Sequence, residues 1–398
     1  MSYELIMLGM SALIAIGILL HHPSQTFGIP SLLIFMGVGL LVGNGEFNFV
    51  YDDLDKTSWV GTLALNVIVF SGGLNTSFDK IKRSYKEGGV LATFGVLLTT
   101  LIFALILYVL THFDFTICLL FAAIVSSTDA AAVFSILESK KLRLKEQTDS
   151  VLEFESATND PIALSMVLLL TGLAMSSDHH ISASNVAIEL TTQIVVASVV
   201  SILLGKLVVS ALNHIKLAES GLIPVFVLSC FILASYGSEH IGGNILLASY
   251  LFGVIVGNGL QHGKEVNKHF FNGLSWLAQA LMFIVLGLQI FPGELMSTFW
   301  YSLLPAVLLI CVARPIAVQL CYLPFTQASW QKRLFISLIG LKGATPIVFA
   351  LIPAAAGVPG ADKIVHMVFF IVVISVMIQG GIIAPLAYRL GLKQTPES

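Results

Sequence analysis

Apolar runs of about 17–25 residues recur from one end of this 398-residue chain to the other, each long enough to cross a bilayer as a helix. Few constraints on a fold are as severe. Hydrocarbon offers no water to backbone N–H and C=O groups, so each crossing segment must satisfy its own hydrogen bonds. Composition agrees: 56% of the residues are hydrophobic and 11% are charged, against about 25% charged for a soluble domain. The pattern predicts an all-α polytopic membrane protein of about thirteen transmembrane helices. Their approximate limits are 3–21, 28–44, 58–76, 88–111, 115–137, 148–175, 186–212, 221–237, 242–259, 270–291, 300–323, 332–354 and 363–390. The N-terminus is apolar from Leu5 onward without a small-residue cleavage site after a basic start, so it reads as the first span and not as a signal peptide. The net charge of −3 gives no sign of a nucleic-acid partner. Cys118, Cys230, Cys311 and Cys321 have no zinc spacing and read as small buried residues.

Within this apolar chain, the string Glu155-Ser156-Ala157-Thr158-Asn159-Asp160 stands out. A carboxylate at membrane depth costs about 2.5–3.5 kcal/mol on insertion scales, and this helix carries two beside a hydroxyl and an amide. Positions 155, 156, 159 and 160 fall on one helical face. That face is a cage for a small cation, a proton, or each in turn. Lys and Arg are distributed very unevenly. Fifteen of the 20 fall in loops on one side or at the C-terminal end, among them Lys80, Lys82, Arg83 and Lys86, then Lys140, Lys141, Arg143 and Lys145, then Lys332 and Arg333. Lys56 and Lys363 fall on the other side, and Lys206, Arg314 and Lys342 lie within spans. The positive-inside rule then places the C-terminus in the cytoplasm and the N-terminus outside.

The chain also repeats itself. At a constant offset of 214, Gly28, Leu32, Leu33, Gly39, Val42, Gly43, Asn44 and Gly45 recur in the ninth span, and Gly73-Leu74-Asn75 aligns with Gly287-Leu288-Gln289. Carried further, Asp129 falls on Gly343. The copies begin seven spans apart, an odd number, so they have opposite topology, the arrangement of many secondary transporters. Spans five and twelve, with Ser126-Ser127-Thr128-Asp129 and Gly340-Leu341-Lys342-Gly343-Ala344-Thr345-Pro346, both interrupt an apolar helix with polar and helix-breaking residues. Unwinding there would expose carbonyls to a cation. Asp129 would offset a positive helix end and Lys342 a negative one. Asp129 also reads as a structural counter-ion and Pro346 as a simple kink. Arg314, mid-span beside Pro315, needs a partner, and Glu155 is the first choice; the pair is either structural or part of a gate.

These segments resemble the monovalent cation:proton antiporter family in its NhaP-like branch, over nearly the whole chain. The resemblance is carried by Ser127-Thr128-Asp129, by Leu152 to Pro161 with its Glu-Ser-x-x-Asn-Asp core, by Ala313-Arg314-Pro315, by Gly340 to Val348 and by Phe70-Ser71-Gly72-Gly73-Leu74. It implies the NhaA-like antiporter fold, two inverted six-helix repeats with crossed interrupted helices. It implies a homodimer with an interface domain at 1–76 and 221–291, an ion-transport core at 88–175 and 300–390, and a connecting helix at 186–212. The activity implied is exchange of K⁺ or Na⁺ for H⁺ at a bacterial plasma membrane without a cofactor, in a form closest to K⁺/H⁺ antiporters and cell-volume regulators.

Carried over by motif, Asp160 is the carboxylate that alternates between cation and proton. Ser156 and the unwound backbone at Thr128 would supply further oxygens to K⁺ or Na⁺, Glu155 would assist, and Asn159 would bridge the broken strands. Asp129, Arg314 and Lys342 would support them. Asn at 159, where two consecutive acids would add a second charge, predicts one cation per proton. The sequence departs from the family pattern at Ala130, where Pro is frequent, at Lys342, where Arg is common, and at Ser71, which replaces an acid. A cation channel is the principal alternative, but no repeated carbonyl-filter sequence appears. An intramembrane enzyme would need a nucleophile with a base, and no mid-membrane His or HExxH string is present.

Overall fold

The computed structural model describes residues 3–27, 31–43, 53–111, 113–129, 133, 137, 140, 142–175, 183–215, 219–288 and 292–394. Gly28, Asn44, Gly45, Ala130, Lys141, His179, His180, Lys216 and Gln289 lie outside these residues. The regular secondary structure of the described part is helical, apart from a short antiparallel bridge between Leu144 and Lys393. Its α-helices are α1 (Tyr3–Phe27), α2 (Ser31–Val42), α3 (Leu54–Asn75), α4 (Phe78–Val90), α5 (Val96–Thr111), α6 (Phe115–Ile124), α7 (Thr148–Met175), α8 (Ala183–His214), α9 (Leu222–His240), α10 (Ile245–Gly259), α11 (Lys264–Leu288), α12 (Pro292–Leu308), α13 (Arg314–Cys321), α14 (Trp330–Leu338), α15 (Thr345–Ala355) and α16 (Ala361–Arg389).

Among the described residues, eight helical stretches are long and apolar enough to cross a membrane, and shorter apolar helices accompany them. The chain is an all-helical integral membrane protein. The expected span 332–354 is divided in two by a non-helical gap, whereas 88–111 and 300–323 each run on through a π-helical segment. A π-turn at Leu91–Gly95 joins α4 to α5, and another at Leu309–Ala313 joins α12 to α13. The second ends just before Pro315, whose ring and missing N–H disfavour the regular ladder there.

Short polar residues start several helices by accepting from an orphan backbone N–H. Asp114 accepts from Thr116 N (2.8 Å) at α6, Asn244 from Leu247 N (2.9 Å) at α10, and Ser329 from Lys332 N (3.2 Å) at α14. Ser77 does the same at α4, so Lys80, Lys82, Arg83 and Lys86 lie on a helix where the sequence suggested a loop. The polar run is one face of a helix emerging from the apolar layer. Lys332, grouped with the loop cations, is 4% exposed and pairs with Glu87 at 2.7 Å. Two of the four cysteines, Cys118 and Cys321, are buried, whereas Cys311 is exposed.

One group of helices packs α2 on α11, and α3 on α10 and α11, with α8 along α9 and α10. Phe70 of α3 anchors it, stacking on Phe231 of α9 (4.4 Å) and meeting Phe271 of α11 edge-on (4.7 Å). Helices approach closely in this group because glycines stand at the crossings. A Cβ on Gly39 would meet the Ile284 carbonyl, and one on Gly253 the Phe70 carbonyl. Gly43 and Gly257 lie against the carbonyls of Leu288 and Leu74, and Gly73 and Gly287 against those of Tyr250 and Met36. A second group packs α4 and α6 on α7, α5 on α6, α13 on α14, and α12 and α15 on α16. Helix α15 touches α3 as well as α7 and lies where the two groups meet.

Candidate functional site

Two chain segments lose helical form at the centre of the second group. Helix α6 stops at Ile124, where the Ser126 hydroxyl takes the Ala123 carbonyl (2.7 Å) and competes with the regular ladder. Residues 127–129 continue without helical structure. The second gap, residues 339–344, separates α14 from α15, and Pro346 stands in the first turn of α15.

The two gaps touch. The Asp129 N–H donates to the Leu341 carbonyl (2.8 Å), and the Lys342 ammonium donates to the carbonyls of Ser126 (3.0 Å) and Ser127 (2.9 Å). Carbonyls freed at the end of α6 therefore find the Lys342 Nζ as donor (Lys342 is 1% exposed) in place of water. Gly343 lies so close to Asp129 that a Cβ there would fall within 2.6 Å of the Asp129 Cβ. Helix α16 holds the second gap in shape. Ser375 Oγ accepts from the Lys342 N–H (2.8 Å) and donates to Gln379 Oε1 (2.5 Å), while Gln379 Nε2 donates to the Leu338 carbonyl (2.8 Å).

Helix α7 lays its polar face across this crossing. Asp160, 7% exposed, accepts a hydrogen bond from the Ser127 hydroxyl and a long one (3.5 Å) from Thr345 Oγ1. Ser156 Oγ and Thr128 Oγ1 are 3.0 Å apart, and Asn159 Nδ2 donates to Thr128 Oγ1 (2.6 Å). Asp160, Ser156, Thr128, Asn159, Asp129 and Lys342 are thus brought together at one crossing. Glu155 belongs to a neighbouring unit: it is fully buried and paired with Arg314, itself 1% exposed, on α13. Arg314 also lies against Gly340, at 3.4 Å from its Cδ to a Cβ built there.

A cavity of about 50 Å³ opens beside Asp160. Asp129, Asp160, Ala344 and Thr345 form one wall, and Leu65, Ile68, Gln279, Met282 and Phe283 from α3 and α11 form the other. The chamber therefore sits between the two helix groups. The lining thus brings two carboxylic residues, a hydroxyl residue and a side-chain amide to one chamber, oxygen-bearing groups that suit a hard monovalent cation and also a proton relay. Among the described residues no cluster of three His, Cys, Asp or Glu forms a multivalent metal site.

Three participants are absent from the sequence-based set. Ser127 and Thr345 lie in the interrupted segments, but helical phase does not reveal which atoms of an unwound strand meet Asp160. Gln279 gave no signal, because one polar residue in an apolar helix is ordinary.

The family model described as "Sodium/hydrogen exchanger, transmembrane" matches residues 10–389. The chain is 37% identical to the K⁺/H⁺ antiporter NhaP2 of Shewanella sp. (strain MR-4), over 96% of this chain and 66% of that protein. It is 34% identical to the K⁺/H⁺ antiporter NhaP of Alkalimonas amylolytica, over 99% of this chain and 68% of that one. The chain thus spans about two thirds of the length of these relatives. The solved structure of the sodium proton antiporter MjNhaP1 from Methanocaldococcus jannaschii at pH 8 superposes with a TM-score of 0.83 at 23% identity, covering 96% of this chain and all of that one.

Proposed function

The chain belongs to the sodium/hydrogen exchanger family, and from that premise we propose that it exchanges a monovalent cation, K⁺ or Na⁺, for H⁺ by alternating access. The observation that carries the proposal is the placement of Asp160, a nearly buried carboxylate in a small chamber where two interrupted segments cross. A proton and a cation cannot both neutralise this one charge, so each displaces the other. Ser127, Ser156 and Thr128 supply oxygens around it, and Asn159 ties α7 to the unwound strand. Glu155 and Arg314 brace the back of the site. The relatives named K⁺/H⁺ antiporters favour K⁺ as the cation.

The moving unit in this reading is the core of 88–175 and 300–390. It slides against the interface domain of 1–76 and 221–291, with 186–212 between them, in a homodimer of the plasma membrane whose C-terminus is cytoplasmic. An inverted repeat is supported by the glycine crossings. Adding 214 turns Gly39 against Ile284 into Gly253 against what Ile284 matches, Phe70. The same exchange relates Gly43–Leu288 to Gly257–Leu74, and Gly287–Met36 to Gly73–Tyr250. Pairs that swap partners under one offset are what a two-fold axis between repeats would produce, and the contact of Asp129 with Gly343, its counterpart at the same offset, supports the same reading.

Proteoliposomes containing the purified protein test the proposal. A K⁺ or Na⁺ gradient should drive saturable proton movement read by a lumenal pH dye, and Asp160→Asn should abolish it while the protein remains monodisperse in detergent. Exchange at the wild-type rate by Asp160→Asn would remove Asp160 from its role.

A further inference from the structure

The wall of the chamber facing Asp160 is built twice from the same positions. The offset of 214 carries Leu65 of α3 onto Gln279 of α11, and Ile68 onto Met282, and all four line the cavity. The swapped glycine contacts pack α2 on α11 and, in the same manner, α10 on α3. Three of the four side chains are apolar, as befits a surface that slides past a charged site. Gln279 breaks the pattern. It is half-buried, and its Nε2 donates to Ser275 Oγ one turn back (3.3 Å), which ties the amide to its own helix. Leucine at the repeat-related position is the inexpensive choice at membrane depth, and glutamine is not. A side-chain amide offers a carbonyl oxygen, the ligand type that replaces water around K⁺ in selective pores. The chamber gives about 50 Å³ to water-sized occupants, where a single water needs about 10–15 Å³, so an ion with a few waters fits between the walls. An ion drawn to Asp160 there faces the wall that carries Gln279, directly or across water.

In an inverted-repeat transporter, the pseudo-two-fold that relates the repeats also relates the inward-facing and outward-facing states. A wall position occupied by α11 in one state is occupied by its α3 counterpart in the other. We propose that the Gln279 amide oxygen is a ligand to the exchanged cation in the facing state described here, and that Leu65 takes the corresponding place in the opposite state. The cation is then held by one more oxygen on one side of the membrane than on the other. Gln279 sets a sided affinity, favouring capture at one face and release at the other. This inference rests on the cation/proton exchange proposed above.

The test uses wild type, Gln279→Leu, Gln279→Asn and Leu65→Gln in proteoliposomes of uniform orientation, with KM for K⁺ and for Na⁺ measured at each face. Gln279→Leu is expected to raise KM at one face roughly two- to tenfold, the worth of one neutral polar contact, with KM at the other face unchanged. Gln279→Asn should recover part of the loss. Leu65→Gln should lower KM at the opposite face, and it carries the test alone if Gln279→Leu is not monodisperse. Unaltered KM at both faces, an equal rise at both, or a loss confined to kcat would overturn the inference. Wild type without exchange would remove the transport reading itself, whereas wild-type exchange beside an unaltered Gln279→Leu removes only the role of Gln279.

Discussion

Burying a carboxylate beside a guanidinium strips water from both, and at Glu155 and Arg314 the side-chain exposure is 0% and 1%. Such a pair contributes little net stability when intact, but removing one partner strands the other, typically at a loss of about 3–5 kcal/mol. Arg314→Gln should therefore lower the thermal unfolding temperature in detergent sharply. The double variant Glu155→Gln/Arg314→Gln should recover most of the loss. A single variant as stable as wild type would show that the pair is not what holds α7 to α13. The partnership was legible in the sequence, because an arginine within an apolar span requires an acid and Glu155 offered one. The closer partners of Asp160 were not. Ser156 shares its helical face, so spacing pointed there, yet Ser156 meets Thr128 and the hydrogen bond to Asp160 comes from Ser127. Helical phase fixes which residues of α7 look inward, and it says nothing about an unwound strand that crosses them.

At the scale of elements, the crossings of α2 with α11 and of α3 with α10 depend on glycine, because backbone carbonyls occupy the space a Cβ would need. A backbone atom inside a packed helix yields less readily than a side chain, so Gly39→Ala and Gly253→Ala should each destabilise by about 1–3 kcal/mol, the usual penalty of overpacking. They should do so to a similar extent, since each is the repeat mate of the other. Thermal unfolding of the two variants checks this, and tolerance of one with collapse of the other would count against a shared axis. The interruptions of α6 and of α14–α15 were readable from Ser126-Ser127-Thr128-Asp129 and from Gly340, Gly343 and Pro346, residues that either compete with the helical ladder or cannot join it. The helical run through Lys80, Lys82, Arg83 and Lys86 was hidden, because a polar stretch beside an apolar one looks the same whether it is a loop or a helix leaving the membrane. Its Ser77 cap was the local signal, visible only once the apolar periodicity is set aside.

At the scale of the whole molecule, the transported charge decides how the protein answers to voltage. Asn159 contributes an amide to Thr128 where a second acid would contribute a charge. With one carboxylate cycling between cation and proton, a full turn moves no net charge. Each uncompensated charge would couple to the membrane potential at about 2.3 kcal/mol per 100 mV. Exchange by wild type should therefore generate no signal from a potential-sensitive dye and should keep its rate under an imposed potential; a dye response that scales with transport would refute one-for-one exchange. The Glu155–Arg314 pair has a further consequence, for synthesis. Its partners are 159 residues apart, and at roughly 5–20 residues per second Glu155 emerges from the ribosome about ten to thirty seconds before the guanidinium that will neutralise it. During that interval α7 carries its acids without Arg314. It must wait beside the insertion machinery, enter with Glu155 protonated, or shelter against α4 and α6, which have already been made. The order of residues along the chain thus sets a timetable, and the last third of the protein completes a site that the middle third has to hold open.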